Sequence, residues 1–402
     1  MKLCIVIPAL NEEDSIEKII VRSLEAKEYI INNSDVTNVS VTVVSDGSTD
    51  KTVELANKHI DNIHLIVFPE NKGYGAAIKQ GWLESDADLL SFLDADGTCN
   101  PQFFADLANL VTKEKSDVAL GCRLNKDSKM PLTRRFGNTL FSILLTYLAS
   151  EKVKDTASGM RVVRRTILPE LMPLPDGLHF TPAMSARALL SESIRIKEKD
   201  MPYEERDGES KLHIWKDGVR FLRVILETAI LYRPNRLLSL TGSLFLLLGI
   251  ALLIIPVVHY LQESVIEDWM IYRLIVSNLL GITSLLFFSA SFITEKMVSL
   301  TVSKPITGAS AKSWISKIYE SKIIWAVPVL GTLLGLFLIG DSLIDRLLIG
   351  ETYEHWSRYV AMSFFISVAF IILATKSIEH VLRLIGARLS YIQSDEYDKF
   401  NS

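Results

Sequence analysis

The stretch Asp88-Leu89-Leu90-Ser91-Phe92-Leu93-Asp94-Ala95-Asp96-Gly97 decides how the first half of the chain is read. A short apolar run that stops abruptly at two acids and a glycine reads as a buried strand followed by a tight loop. Carboxylates at i and i+2 beyond a strand end share one face. Hard oxygen donors so placed suit a divalent cation that keeps room for a diphosphate. The same grammar recurs on either side. Leu3–Pro8, Val39–Ser45 and Ile63–Phe68 are strand candidates before this stretch, and Asp117–Gly121 follows it. Helical patterns over Asn11–Ala26, Asp50–His59, Gly75–Glu84 and Pro101–Thr112 lie between them. That order predicts an α/β domain with a mostly parallel sheet and helices on both faces. Ligands in such sheets bind beyond the carboxyl ends of the strands.

Each strand end here carries a motif. The first is followed by Pro8-Ala9-Leu10-Asn11-Glu12-Glu13 and the second by Asp46-Gly47-Ser48-Thr49-Asp50. The third leads into Asn71-Lys72-Gly73-Tyr74-Gly75, and the fourth into the acid pair Asp94 and Asp96. Singly, each is ordinary turn or helix-cap chemistry. Four in order at successive strand ends point to one site.

The second half is different in kind. Leu237–Val258, Ile271–Ile293, Ile323–Gly340 and Tyr359–Thr375 are apolar runs close to the ~17–25 residues that a membrane-crossing helix needs. The first connection between them carries Glu263, Glu267 and Asp268, and the third Asp341, Asp345, Glu351 and Glu354, with Arg346 against them. The second carries Lys296, Lys304, Lys312, Lys317 and Lys322, and Lys376, Arg383 and Arg388 follow the last run. Basic loops stay on the cytoplasmic side, so the N-terminal domain and the C-terminus are expected there. The start of the chain on a strand-like run, with no leader pattern, agrees with that expectation. Leu132–Ala149 and His213–Tyr232 read as amphipathic helices with basic residues suited to a headgroup plane. A net charge of −4 gives no pull toward nucleic acid. Cys4, Cys99 and Cys122 are too scattered for a disulfide framework or a zinc site.

With these motifs the chain resembles the family 2 glycosyltransferases of the nucleotide-diphospho-sugar fold, over roughly residues 1–235. More narrowly it is similar to the dolichyl-phosphate mannose synthase and polyprenyl-phosphate glucosyltransferase branch. Asp155-Thr156-Ala157-Ser158-Gly159-Met160-Arg161 is similar to the branch's D-x-x-S-G-x-R element. Pro202 to Leu212 is similar to its P-x-x-x-x-R-x-x-G-x-S-K-L segment. The resemblance implies a GT-A type domain followed by an all-α membrane domain of four helices. Together with the apolar runs it divides the chain into a catalytic domain at 1–212, an interface helix at 213–236, the spans at 237–375 and a tail at 376–402.

The resemblance also implies roles. Pro8, Asn11, Glu12, Asp46, Lys72, Gly73 and Asp94 would bind the nucleotide-sugar. Asp94 and Asp96 would hold Mg²⁺ or Mn²⁺, and Arg206 and Lys211 would join them in catalysis. Arg123, Arg134, Arg135, Ser210 and Lys211 would meet the acceptor phosphate. The expected reaction is inverting transfer of a hexose from GDP-mannose or a UDP-hexose to dolichyl or polyprenyl phosphate. It would take place at the cytoplasmic face of the cell or endoplasmic reticulum membrane, with nucleic acid excluded as a partner and a homo-oligomer left open. Two positions depart from the branch: Ser45 stands where an acid is common, and Thr181-Pro182-Ala183-Met184 stands where acids follow the phenylalanine. Two other readings compete. A processive polysaccharide synthase would carry a Q/R-x-x-R-W segment, and the sequence has no Arg-Trp pair. An inactive transferase domain on a lipid-handling scaffold is disfavoured by retention of Asp94, Asp96, Arg206 and Lys211.

Overall fold

The computed structural model of the protein describes residues 1–125, 128, 130–149, 152–191, 193–204, 214–301, 313–348 and 355–392. The side chains of Arg134, Ile214, Trp215, Thr301, Asp345 and Arg346 are not among them. The chain divides into two compact units, Met1–Tyr232 and Arg233–Ser402.

The first unit is built on β1 (Lys2–Ala9), β2 (Asn38–Asp46), β3 (His64–Phe68), β4 (Leu89–Phe92), β5 (Val118–Cys122), β6 (Arg161–Arg164) and β7 (Ile196–Asp200). They form one sheet in the order β3-β2-β1-β4-β6-β5-β7. All pairs are parallel except those of β6, which runs antiparallel to both β4 and β5. Helices α1 (Ile16–Asn33), α2 (Thr52–Asn57), α3 (Tyr74–Glu84), α4 (Phe104–Thr112), α5 (Leu132–Leu148), α6 (Leu168–Leu171), α7 (Phe180–Leu190) and α8 (Ile214–Tyr232) cover it.

Side-chain alternation along β1 shows why both faces are covered. Leu3, Ile5 and Ile7 share one core with Ile16, Ile19 and Ile20 of α1 and Phe104 of α4. Cys4 and Val6 point the other way, to Ile78 and Trp82 of α3, Leu145 of α5 and Phe180 of α7. All three cysteines are buried and free. The five strands expected from sequence form within a residue or two of their limits. β6 and β7 were not anticipated: the first is bracketed by arginines and the second reads Ile-Lys-Glu-Lys-Asp. That charged pattern suits an edge strand, where it discourages pairing with another chain.

The second unit contains α9 (Pro234–Glu263), α10 (Ile271–Thr301), α11 (Trp314–Glu320), α12 (Ala326–Leu348) and α13 (Trp356–Ile392). Four of these helices are long and apolar enough to cross a membrane. α9 packs along α10, α10 along α13, and α13 along α12. Small residues permit the close approach. A Cβ on Gly242 would lie 2.9 Å from the Phe288 ring, and one on Gly335 2.7 Å from Ile366. Ser284 and Ser277 donate across the α9–α10 seam to the carbonyls of Gly242 and Gly249, each at 2.8 Å.

Two sequence boundaries move. The break near 236 falls instead at Arg233-Pro234, because a proline suits the first position of a helix and lacks the N–H that would tie it to the helix before. The break at Thr375 lies inside α13, which continues to Ile392. Lys376 is therefore buried in that helix, paired with Glu379 and donating to the Tyr319 carbonyl at 3.0 Å. Of the charges that set the expected topology, Lys304, Lys312, Glu351 and Glu354 lie outside the described residues.

Candidate active site

The motifs at the ends of β1 and β2 are tied to each other. Asn11 has a left-handed backbone, φ 51°, a conformation that asparagine tolerates better than most residues. Its N–H donates to Ser48 Oγ at 3.1 Å, and its Oδ1 accepts from the Thr49 N–H at 2.8 Å. The Glu12 N–H reaches Thr52 Oγ1 at 2.8 Å. Pro8 is buried within β1, opposite Val44.

Asp46, 3% exposed, binds the next loop with both oxygens. It accepts from the Lys72 N–H at 2.7 Å and from the Gly73 N–H at 2.9 Å. Only glycine suits position 73: φ is 110°, and a Cβ would lie 2.4 Å from the Asp176 carbonyl oxygen. That carbonyl caps the start of α3, accepting from the Gly75 N–H at 2.6 Å. Lys72 lies over the Phe68 ring, 4.7 Å from its centre.

The acid pair follows β4. Asp94 accepts from the Tyr74 hydroxyl at 2.6 Å through Oδ1, while Oδ2 lies against Gly159. Burial and the Asp94 charge hold the Tyr74 phenol well above its ordinary pKa, so it remains a donor. Asp96, 7% exposed, accepts from Thr98 Oγ1 at 2.7 Å and from the Thr98 N–H at 3.2 Å. Among the described residues no group of three or more His, Cys, Asp or Glu gathers as a metal cage. Two carboxylates already oriented by hydroxyl donors fit an ion of the Mg²⁺ class, which takes one or two protein carboxylates and completes its shell with phosphate and water.

Arg123 stands differently from the sequence expectation. Its guanidinium donates to Asp155 through Nε at 2.7 Å and Nη2 at 2.9 Å, and its N–H adds a third bond at 2.9 Å. Asn138 of α5 donates to the same carboxylate at 2.7 Å. Burial alone would raise the Asp155 carboxyl, but Arg123 and these hydrogen bonds outweigh it and hold the group below its ordinary value. Arg123 is thus one half of an internal ion pair. Arg161 is wholly buried, donates to the carbonyls of Ser158 and Thr156 at 2.9 and 3.0 Å, and is pulled down to about 10 by burial. It shapes the loop that brings Gly159 onto Asp94. Arg134 and Arg135 lie in the first turn of α5. Arg206, Ser210 and Lys211 lie outside the described residues.

The structure therefore gathers Asp46, Lys72, Gly73, Asp94 and Asp96 around three successive strand ends. Sequence reasoning gave no role to Tyr74, Thr98 or Asn138. Tyr74 lay inside a quoted motif, but nothing local says its hydroxyl crosses to the next strand end.

The Glycosyl transferase family 2 description matches residues 4–172. A dolichyl-phosphate hexose transferase of Haloferax volcanii is 30% identical over 192 residues, covering 47% of this chain and 80% of that protein. The chain belongs to glycosyl transferase family 2. A low-salt glycan biosynthesis hexosyltransferase of the same organism is 32% identical over 257 residues, 63% of this chain, and the match spans 59% of that relative's length. Glucosyl-3-phosphoglycerate synthase from Mycobacterium tuberculosis, solved with Mn²⁺, UDP and phosphoglyceric acid, aligns at 19% identity and a TM-score of 0.44. It covers 57% of this chain and 78% of that one, and no residue role is transferred from it.

Proposed function

We propose that the protein transfers a hexose from a nucleotide-sugar to a polyprenyl or dolichyl phosphate, with inversion, at the cytoplasmic face of a membrane. The observation that carries this reading is the Asp94–Asp96 pair, held at the end of β4 by Tyr74, Thr98 and Gly159 in a family 2 domain. The acceptor class comes from relatives named as dolichyl-phosphate and undecaprenyl-phosphate sugar transferases.

Asp94 and Asp96 would hold Mg²⁺ or Mn²⁺ together with the donor diphosphate. An ion held there would neutralise charge on the leaving diphosphate. The knot of Asn11, Ser48 and Asp46 orders the loops expected around the nucleoside. A phosphomonoester with a second pKa of about 6 is already largely dianionic at neutral pH, so the acceptor needs no general base. What the chain must supply is alignment of two anionic partners, through cations on the acceptor side. With Arg123 paired to Asp155, that task falls to Arg134, Arg135 and Lys211 in this reading.

A lipid-borne acceptor also accounts for the outer face of α5. Leu132, Phe136, Leu140 and Ile143 are 81, 73, 54 and 62% exposed on one stripe, while Leu145 and Leu148 on the opposite side are buried. Such a face suits the headgroup boundary of a bilayer. The test is incubation of membranes containing the protein with labelled GDP-mannose, UDP-glucose or UDP-N-acetylglucosamine and a short polyprenyl phosphate. Label must appear in a lipid phosphate product with at least one donor; its absence with all three sinks the proposal.

A further inference from the structure

The Tyr74 hydroxyl is set by contacts that have little to do with its own helix. Asp46, from the end of β2, pins the Lys72 and Gly73 N–H groups immediately before it. Gly73 lets the Asp176 carbonyl, and Gly75 the Pro175 carbonyl, press against the start of α3. The ring lies edge-on to Phe92 and Phe180, with centres 6.3 and 6.4 Å away and planes at 88° and 76°. Phe92 and Phe180 also pack on Trp82 at 6.1 and 5.7 Å, so the ring sits on an aromatic floor that does not depend on its hydroxyl. From there the phenol reaches Asp94 Oδ1 at 2.6 Å, a charge-assisted bond.

The other side of the carboxylate is equally restricted. A Cβ at position 159 would fall 2.0 Å from Asp94 Oδ2, so only the bare backbone of glycine fits there. Ser185 of α7 donates to the Thr156 carbonyl at 2.7 Å and steadies that loop, and Phe180 of the same helix steadies the tyrosine ring. One helix thus braces both walls around Asp94.

We propose that Tyr74 is a positioning residue: it aims the Asp94 carboxylate at the divalent ion and diphosphate, and through this contact the loop held by Asp46 is mechanically coupled to the acid pair. This rests on the proposed function, since it presumes that Asp94 meets a metal–diphosphate unit. Partners that orient a ligating group typically cost roughly 10–100-fold in metal affinity or activity when removed.

The experiment uses the full chain in detergent, with Mn²⁺ titrated in the presence of UDP and, separately, GDP, and followed by electron paramagnetic resonance. Tyr74→Phe keeps the ring on its aromatic floor and removes only the hydroxyl. It should weaken Mn²⁺ binding roughly 10–100-fold, with kcat falling in parallel and the acceptor KM unchanged. In an Asp94→Asn background the same change should have no further effect on Mn²⁺ binding. Mn²⁺ binding within twofold of the parent in Tyr74→Phe overturns the proposal, as does an equal loss in both backgrounds. If the parent chain binds no Mn²⁺ with either nucleotide, the proposed function itself fails, which is a different result. Glu84→Gln, at the exposed far end of α3, is the control for general effects on that helix.

Discussion

Replacing Arg123 by methionine separates an internal ion pair from a phosphate ligand. Methionine keeps most of the stem and deletes the guanidinium, so Asp155 loses the Nε and Nη2 bonds at 2.7 and 2.9 Å. It keeps the Asn138 bond at 2.7 Å and the position 123 N–H at 2.9 Å, and stays fully buried. Removing one partner of a buried pair costs about 3–5 kcal/mol, because the survivor is a buried charge without compensation. For a domain of this size that corresponds to a fall in melting temperature of roughly 6–20 °C. The pH dependence follows from the sign of the shift. In the parent the Asp155 carboxyl is depressed, so its stabilisation is fully present above the unfolded value of about 3.9 and lost as pH falls through the lower folded value. Without Arg123 burial dominates and raises the carboxyl, so a penalty grows as pH rises above about 3.9. The gap between parent and variant should therefore be wide at pH 7.5 and narrower at pH 4.5. The assay is thermal unfolding of the purified full chain at both values, with acceptor KM measured beside it. Unchanged melting together with a selective rise in acceptor KM refutes the ion-pair account and returns Arg123 to the phosphate.

Four further outcomes are expected. Gly159→Ala places a methyl 2.0 Å from Asp94 Oδ2 and should abolish turnover while the domain still folds, checked by melting and by rate. Asp96→Asn removes a charged oxygen ligand and should collapse metal-dependent transfer; near-normal turnover with chelator present would rule out the metal assignment. Polyprenyl phosphate should be used and the free prenol not, with activity rising through the acceptor's second pKa of about 6 and then levelling off. Efficient transfer to the prenol would revive a hydroxyl acceptor. Reporters after Asp268 should be external and those at the C-terminus cytoplasmic; an external C-terminus breaks the four-span orientation.

Much of the fold is legible in the amino-acid sequence. Alternating apolar runs placed β1 to β5, and four long stretches with almost no charge placed the helices that can cross a membrane, because periodicity and length are local properties of a chain. The strand-end motifs Asn11, Asp46, Lys72-Gly73 and Asp94/Asp96 were expected to meet, since in a parallel sheet those ends share one edge, and the fold brings their loops together there. The sequence could not say that β6 enters the sheet reversed, between β4 and β5, because its four residues carry no alternation and its partners are distant. Nor could it assign Arg123. An arginine after a strand is equally a phosphate ligand or half of an ion pair, and only the fold brings Asp155, thirty-two positions on, within 2.7 Å. Tyr74 is the same case. A tyrosine opening a helix signals nothing by itself, and its hydroxyl acquires a role only because the Asp46-bound loop and the Phe92–Phe180 floor deliver it to Asp94. Local pattern determined the elements and the sheet edge where the strand-end motifs meet; which polar groups there pair with each other was decided by packing.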